Sequence, residues 1–241
     1  MPGFYIAELT STQTEIKVSN EEYHHIINVF RHKLDDKITL INGKGIRCKA
    51  RIKEICKSYI TLLLENMECF EPAKIKIACA FSLLKNKNDL WIVEKLTELG
   101  VTDLFPMQTI NSVKLSKENT VEKMKKTAIA AAKQCDNPWI PTIHDVLILD
   151  KTLNKVINMG YLPVVASERL VDINIYSFHK TITNENICFF IGPEGGFDDT
   201  EFDLFEKNNI IRFNIPGNIL RAETAAIVAV AIAGLGNSQI L

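Results

Sequence analysis

The sequence predicts an α/β protein in two parts, a small β-rich N-terminal unit and a larger, mostly parallel sheet with helices on both faces. Three observations carry this expectation. Residues 46–53 alternate with a strict period of two beside an Asn-Gly turn signal. Beyond Glu71-Pro72, strand-like and helix-like segments alternate. Near the C-terminus two glycine- or proline-rich strand-to-helix loops follow in quick succession, GPEGGF at 192–197 and IPGNILRAETAA at 215–226. Alternating βα segments favour a parallel sheet covered by helices. The boundary at Glu71-Pro72 gives units 1–71 and 72–241.

In the first unit, 4–7 and 15–18 read as strands. Ser19 and Glu22 form a capping-box pattern ahead of a short helix over 20–32. Residues 36–41 run into Asn42-Gly43, the signal of a two-residue hairpin. On the return strand Ile46, Cys48, Ala50 and Ile52 face one way, and Arg47, Lys49, Arg51 and Lys53 the other. Residues 59–64 supply a further strand, so the unit is expected to be a compact barrel with little helix. In the second unit the pattern predicts strands at 75–81, 101–107, 143–147, 161–166, 187–191 and 210–215. Helices are predicted at 86–100 (ended by Gly100), 119–136, 151–159, from Asp198 onward, and 222–235.

The chain has 241 residues, 46% apolar and 24% charged, with net charge −1, ordinary for a globular protein. Net charge gives no global pull toward nucleic acid, so any such contact must come from local patches. One patch is present. Residues 31–57 hold nine Lys or Arg and three acids, and the outward residues of 46–53 form a ribbon about 20 Å long that can follow a phosphate backbone. A solvated barrel face accounts for it equally simply. The six cysteines form no C-x-x-C pair, and no metal site is expected. The opening MPGFYIAELTS has no basic flank or long apolar run, and the longest apolar stretch, 225–235, is too short to span a bilayer. The expectation is a reduced, cytoplasmic protein without membrane contact.

The two loops carry the chemistry. Gly192, Gly195 and Gly196 allow close backbone approach, Pro193 stiffens the turn, and Asp198 with Glu201 makes a capping box for the next helix. Neither a dinucleotide fingerprint nor a phosphate-loop lysine is present. Arg221 stands at the mouth of the apolar helix 222–235, where a cation opposes the helix dipole. It therefore needs an anion, either Glu194 or Glu223 in an ion pair or a substrate oxygen that gains charge during reaction.

These residues carry a resemblance. GPEGGF with Glu201, followed by NILRAETAA at 218–226, resembles the RsmE family of 16S rRNA uracil-N3 methyltransferases in the SPOUT class. HIINVFR at 25–31, EKLTELGV at 94–101 and AIAAAKQC at 128–135 are similar to further motifs of that family in the same order. The resemblance covers nearly the whole chain. It implies an N-terminal PUA-like β-barrel that grips RNA (1–71) and a C-terminal SPOUT α/β domain (72–241). It also implies a deep trefoil knot over about 160–235, which no periodicity reveals. The implied cofactor is S-adenosyl-L-methionine. The implied partners are 16S rRNA in the assembled small ribosomal subunit and a second copy of the chain across the cofactor region, with helix 222–235 at the interface.

The expected cofactor pocket draws on three stretches. Ile191, Gly192, Pro193, Glu194, Gly195 and Gly196 form one wall. Ile215, Pro216, Gly217, Asn218, Ile219 and Leu220, with Ala225, form a second. Ser167 and Glu168 fit a third. Arg221 and Glu194 are the catalytic candidates, Arg221 to stabilise charge on a uracil oxygen and Glu194 as proton acceptor or loop-shaping residue. RNA contact is expected from His25, Arg31, Arg47, Lys49, Arg51, Lys53, Lys114 and Gln134. Trp91 and Trp139 read as packing residues. The sequence departs from the family in three places. Asn111 and Asn137 stand where arginines are usual, and Pro216-Gly217 shifts a glycine by one position.

Overall fold

The computed structural model describes residues 3–169, 171–175 and 185–235, so part of the 160–235 stretch lies outside the described residues. The chain divides into two compact units. Residues 1–72 group with 129–140, and 73–128 group with 141–241.

The first unit is built on a five-stranded mixed sheet. Its strands are β1 (Phe4–Tyr5), β2 (Glu15–Ser19), β3 (Lys37–Ile41), β4 (Ile46–Ile55) and β5 (Tyr59–Cys69), in the order β1-β3-β4-β5-β2. Only the β1–β3 pair is parallel. Among the described residues the path runs from β1 to β2 without closing, a half-barrel. The alternation of β4 is as expected: Cys48, Ala50 and Ile52 are fully buried beside Phe4, Leu40, Ile60 and Leu62, while the basic residues point outward.

Three local expectations are corrected here. The segment after β2 is a single turn of helix, α1 (Asn20–Tyr23), continuing as a π-helix over His24–Val29 rather than as an α-helix to 32. Arg31, at φ +59°, marks its end. Ser19 makes no side-chain cap; Glu22, its intended partner, instead accepts from Lys133 Nζ at 2.6 Å. The β3–β4 connection is a longer loop than the two-residue hairpin expected from Asn42-Gly43. Asn42 Oδ1 accepts the N–H groups of both Lys44 and Ile46, at 2.8 and 2.9 Å, and Asn42 N–H bonds Ile46 O, so the side chain stabilises the wider turn. Trp139, from the 129–140 segment, covers Gly45 so closely that a Cβ there would clash with its ring.

The second unit contains β6 (Ile77–Ser82), α2 (Asn88–Glu98), β7 (Asp103–Gln108), α3 (Thr120–Cys135), β8 (Thr142–Ile143), β9 (Leu147–Ile148) and α4 (Leu149–Asn158). It continues with β10 (Leu162–Ala166), β11 (Ile173–Asn174), β12 (Ile187–Ile191), α5 (Asp199–Lys207), β13 (Ile211–Asn214) and α6 (Ala222–Leu235). The second half of α3 groups with the first unit. The sheet order is β11-β13-β10-β12-β6-β7-β8, with β9 beside β7, and every pair is parallel. The strand expected at 143–147 is the two short strands β8 and β9, and β11 was not foreseen; each is two residues, too short for a period to register.

Helices cover both faces. Residues of α4 and α5 meet Ala78, Ala80, Phe105, Val165 and Phe190 in one core. On the other face α6 packs against β6, β12 and α2. Helices α2 and α4 end with a residue of positive φ, Gly100 (+76°) and Gly160 (+78°), followed by paired backbone bonds that close the last turn. No helix among the described residues is long and apolar enough to cross a membrane.

Candidate functional site

A cleft of about 620 Å³ opens at the C-terminal ends of β10, β12 and β13. This is where an open parallel sheet presents strand-end loops to a ligand, and the volume lies in the range of small-molecule sites. The structure brings together every residue expected of the pocket. Ser167 and Glu168 follow β10. Ile191 and the glycine loop 192–196 follow β12. Residues 215–220 with Ala225 close the third side. Ile191, Phe213, Ile215 and Leu220 are apolar residues of the lining.

Each wall has a physical reason for its shape. A Cβ on Gly192 would sit 3.2 Å from the ring of Phe197, and Gly196 has φ +72°. Ser167 is buried, its N–H donating to Phe213 O at 2.9 Å and its hydroxyl bonded to Arg169 O, so β10 is tied to β13 where the cleft begins. Arg169, Phe197, Phe202, Phe213 and Asn214 also line the cleft and were not anticipated. Asn214 Oδ1 is buried without a hydrogen-bond partner, an acceptor left free in a wall residue. Its position as the last residue of β13 was the available signal.

The capping box at the start of α5 forms as expected. Asp198 Oδ1 accepts from Thr200, and Glu201 Oε2 accepts the Asp198 N–H at 2.9 Å. Bonds from the Thr200 hydroxyl and N–H hold the Asp198 carboxyl below its usual range. Glu201 has a second role that the motif does not disclose, because its Oε1 accepts the N–H of Ile110 at 3.0 Å. Asn111 donates to Gly196 O at 3.2 Å, and its Cβ would lie 3.3 Å from a Cβ on Gly195. The loop after β7 is thereby fastened to the glycine loop.

Arg221 lines the cleft, is exposed, and has no ion pair among the described residues. Neither acid proposed for it takes that role. Glu194 is exposed on the glycine loop, and Glu223 is buried and accepts from Asn88 Nδ2 at 3.0 Å, its other oxygen lacking a partner. The guanidinium is therefore uncompensated on the cleft wall, where it can meet an anionic oxygen.

The residues expected to touch RNA are scattered differently. Arg47 pairs with Glu68 at 2.7 Å and stacks over Phe70 at 4.9 Å; Arg51 pairs with Glu65 at 2.7 Å and Asp35 at 3.3 Å; Lys53 pairs with Glu15. Only Lys49 of the stripe lacks an ion pair among the described residues. His25 lies 3.9 Å from Glu22, and Arg31 and Gln134 are exposed. Lys114, in the second unit, is paired with the fully buried Asp89. Asn137, in place of a family arginine, accepts the N–H of Trp139 at 3.0 Å. Trp139 packs on Gly45, whereas Trp91 is 42% exposed. No cluster of three or more metal-ligating side chains occurs among the described residues.

Comparison with known proteins agrees with this architecture. A sequence model of the RNA methyltransferase domain matches residues 71–234, and one of the RNA methyltransferase PUA domain matches 18–65. The chain is 28% identical to the ribosomal RNA small subunit methyltransferase E of Rickettsia conorii, over 94% of this chain and 92% of the relative. It is 28% identical to the protein of the same name from Bacillus subtilis, over 94% of each. In fold it is similar to the crystal structure of ribosomal RNA small subunit methyltransferase E from Neisseria gonorrhoeae bound to S-adenosyl methionine, with a TM-score of 0.84, 22% identity, and 96% and 95% of the two chains covered. Because the methyltransferase-domain match alone spans more than half of its length, the chain belongs to the RNA methyltransferase family, with the small subunit methyltransferase E proteins among its relatives.

Proposed function

We propose that the protein transfers a methyl group from S-adenosyl-L-methionine to N3 of a uridine in small-subunit ribosomal RNA. The observation that carries this reading is the strand-end cleft with Arg221 uncompensated on its wall, in a chain whose curated relatives are named as small-subunit rRNA methyltransferases. The cleft fits the cofactor in kind. Its apolar side chains suit an adenine ring, its glycine-loop main chain and Asn214 offer polar contacts, and its volume accepts a molecule of that size. When bound, the cofactor supplies an electrophilic methyl group on a sulfonium.

The chain's own residues then have two tasks. Residues 191–196, 215–220, Ser167, Glu168 and Ala225 hold the cofactor. Arg221 favours loss of the uracil N3 proton, because negative charge spreads to O2 and O4 as the proton leaves and a fixed cation beside either oxygen stabilises it. Glu194, exposed at the cleft, shapes the loop or accepts that proton. Residues 1–71 act as a PUA-like RNA-gripping barrel, with His25, Arg31, Arg47, Lys49, Arg51, Lys53 and Gln134, and Lys114 in the second unit, as contact candidates; the methyltransferase domain is 72–241. The position of β12 between β10 and β6 is compatible with a trefoil knot over 160–235. The half-exposed apolar face of α6, with Ile227, Val228 and Ile232, supports a homodimer. The substrate is rRNA in the assembled small subunit, which places the enzyme in the cytoplasm.

The test is to incubate the protein with S-adenosylmethionine and small ribosomal subunits lacking the modification, then digest the RNA to nucleosides. Appearance of 3-methyluridine is expected. A ribose 2′-O-methylated nucleoside, or no methylated product from subunits or free RNA, would reject the assignment.

A further inference from the structure

Most of the positive charge that the β4 stripe offered is compensated, and of its four cations only Lys49 has no ion pair among the described residues. On the barrel, Arg47, Arg51 and Lys53 are each held by a carboxylate. In the second unit, the turn after β6 exposes Lys85, Asn86 and Lys87, and neither lysine side chain has an ion pair or hydrogen-bond partner among the described residues.

This turn lies at the same C-terminal end of the parallel strands as the cleft. Strand β6 pairs in parallel with β12, with Ile191 level with Phe81. On one strand Ile191 opens the glycine loop. On its neighbour, about 4.8 Å away, Phe81 leads through Ser82, Leu83 and Leu84 into the turn.

Each acid at the base of the turn already has a partner, although one oxygen of Glu223 has none. Asp89, fully buried, pairs with Lys114. Glu223, in the first turn of α6, accepts from Asn88. These two contacts brace the start of α2 against α6 and the loop after β7, and they leave Lys85 and Lys87 uncompensated. Arg221 stands two residues before Glu223 and is also unpaired. The backbone is strained at the same point. Asn86 (φ +54°) and Lys87 (φ +64°) are consecutive left-handed residues; asparagine tolerates that conformation, and lysine does so at a cost. A connection that needed only to turn would be more stable with glycine there. Strain of this kind persists where the side chains it presents have a use.

We propose that Lys85 and Lys87 form a phosphate-binding ledge for substrate RNA beside the methyl-transfer cleft. Their ligand is the sugar–phosphate backbone flanking the target nucleotide. The inference rests on the RNA methyltransferase reading of that cleft, but it concerns binding and can be measured apart from catalysis.

The experiment uses the full chain with Lys85→Gln and Lys87→Asn combined, since asparagine tolerates the left-handed region. The probe is transcribed 16S rRNA, titrated over a range of salt. Each lost phosphate contact should flatten the plot of log K against log salt by about 0.7–0.9, so the double variant should lose about 1.4–1.8 of slope. Affinity at low salt should drop roughly tenfold or more, by the same counterion argument. Calorimetric affinity for S-adenosylmethionine should stay at the wild-type value. Lys125→Gln with Lys126→Gln, exposed on α3, is the control for loss of two charges.

A wild-type slope, or a loss no larger than the control's, overturns the ledge. Weaker binding with an unchanged slope also overturns it, because phosphate contacts must carry salt dependence. If the first variant misfolds, Lys87→Gly removes the charge while relaxing the backbone, and it must flatten the slope by about one contact. Should the protein prove to methylate no RNA while the slope still falls, the ledge stands and the proposed reaction is what fails.

Discussion

Glu201 Oε1 accepts the backbone N–H of Ile110 at 3.0 Å while Oε2 accepts that of Asp198 at 2.9 Å. One buried carboxylate thus joins a helix cap to a loop 91 residues earlier in the chain. Glu201→Ala would leave both N–H groups without their acceptor, and because Ile110 is exposed to water each such loss costs about 0.5–1.5 kcal/mol. The urea midpoint should fall accordingly with the m-value unchanged. Glu201→Gln, which keeps the shape and one acceptor oxygen, should lose less. Equal, negligible losses in both variants would show that the clamp contributes little.

Asn111 and Glu201 also show where the sequence stops being informative. The capping box was legible because Asp198 and Glu201 are local, and the cleft residues were legible because two unusual loops follow two apolar strands. The bond from Glu201 to Ile110 and the contact of Asn111 with Gly196 were not, since both depend on β6, β7 and β12 lying side by side. The cation stripe of β4 could be read as a pattern, but the acids that neutralise it, Glu15, Glu65 and Glu68, come from β2 and β5. In the same way Lys133 takes Glu22 away from the cap at Ser19. Local signals predicted elements, and register decided which charges remained free.

Arg221→Ala should reduce single-turnover methyl transfer about 10²–10³-fold, the usual consequence of removing one donor to a developing oxyanion. Affinity for S-adenosylmethionine should be retained, since the guanidinium faces the reacting base in this reading. Arg221→Lys should recover part of the rate, as a point charge without the planar fork. A rate near wild type for the alanine variant would remove Arg221 from the mechanism.

Gly195 tests the cleft itself. Gly195 lines the cleft, and a Cβ there would already border Asn111 at 3.3 Å, so a large side chain has to turn away from Asn111 at the cleft wall. Gly195→Arg should keep its circular dichroism spectrum and lose calorimetric binding of S-adenosylmethionine. Binding at wild-type strength in a folded variant would mean that the cofactor sits elsewhere.

The outer face of α6 bears on assembly. Ile227, Val228 and Ile232 are only half-buried, while Ala226, Ala229, Val230 and Ala233 face the core. If α6 forms the proposed homodimer interface, the wild type should have the mass of a dimer by light scattering and Val228→Asp that of a monomer at micromolar concentration. If the variant remains dimeric, the interface lies on another surface.

At the N-terminal end of β7 a cluster of Asp103, His144 and Tyr161 couples stability to pH. Asp103 is held by His144 Nε2 at 2.8 Å and by the Tyr161 hydroxyl, and the His144 ring stacks on Phe105 at 4.1 Å. Burial pushes the Asp103 carboxyl up, but the bonds from His144 and Tyr161, with the attraction of His144, outweigh it and leave the pKa below the usual carboxylate value. Because the folded value is the lower one, this stabilisation is present above the unfolded pKa of about 3.9 and disappears as pH falls through the folded value. Tyr161 is shifted the opposite way, raised by burial and by its bond to the Asp103 carboxylate. Its contribution is present below the ordinary tyrosine pKa of about 10 and is lost as pH rises beyond that. Urea midpoints followed from neutral to acid pH should therefore decline for the wild type below about pH 5, and Asp103→Asn should decline less steeply from a lower starting value. Tyr161→Phe should blunt the loss on the alkaline side. Identical acid slopes in the wild type and Asp103→Asn would mean that other carboxylates set the acid limit.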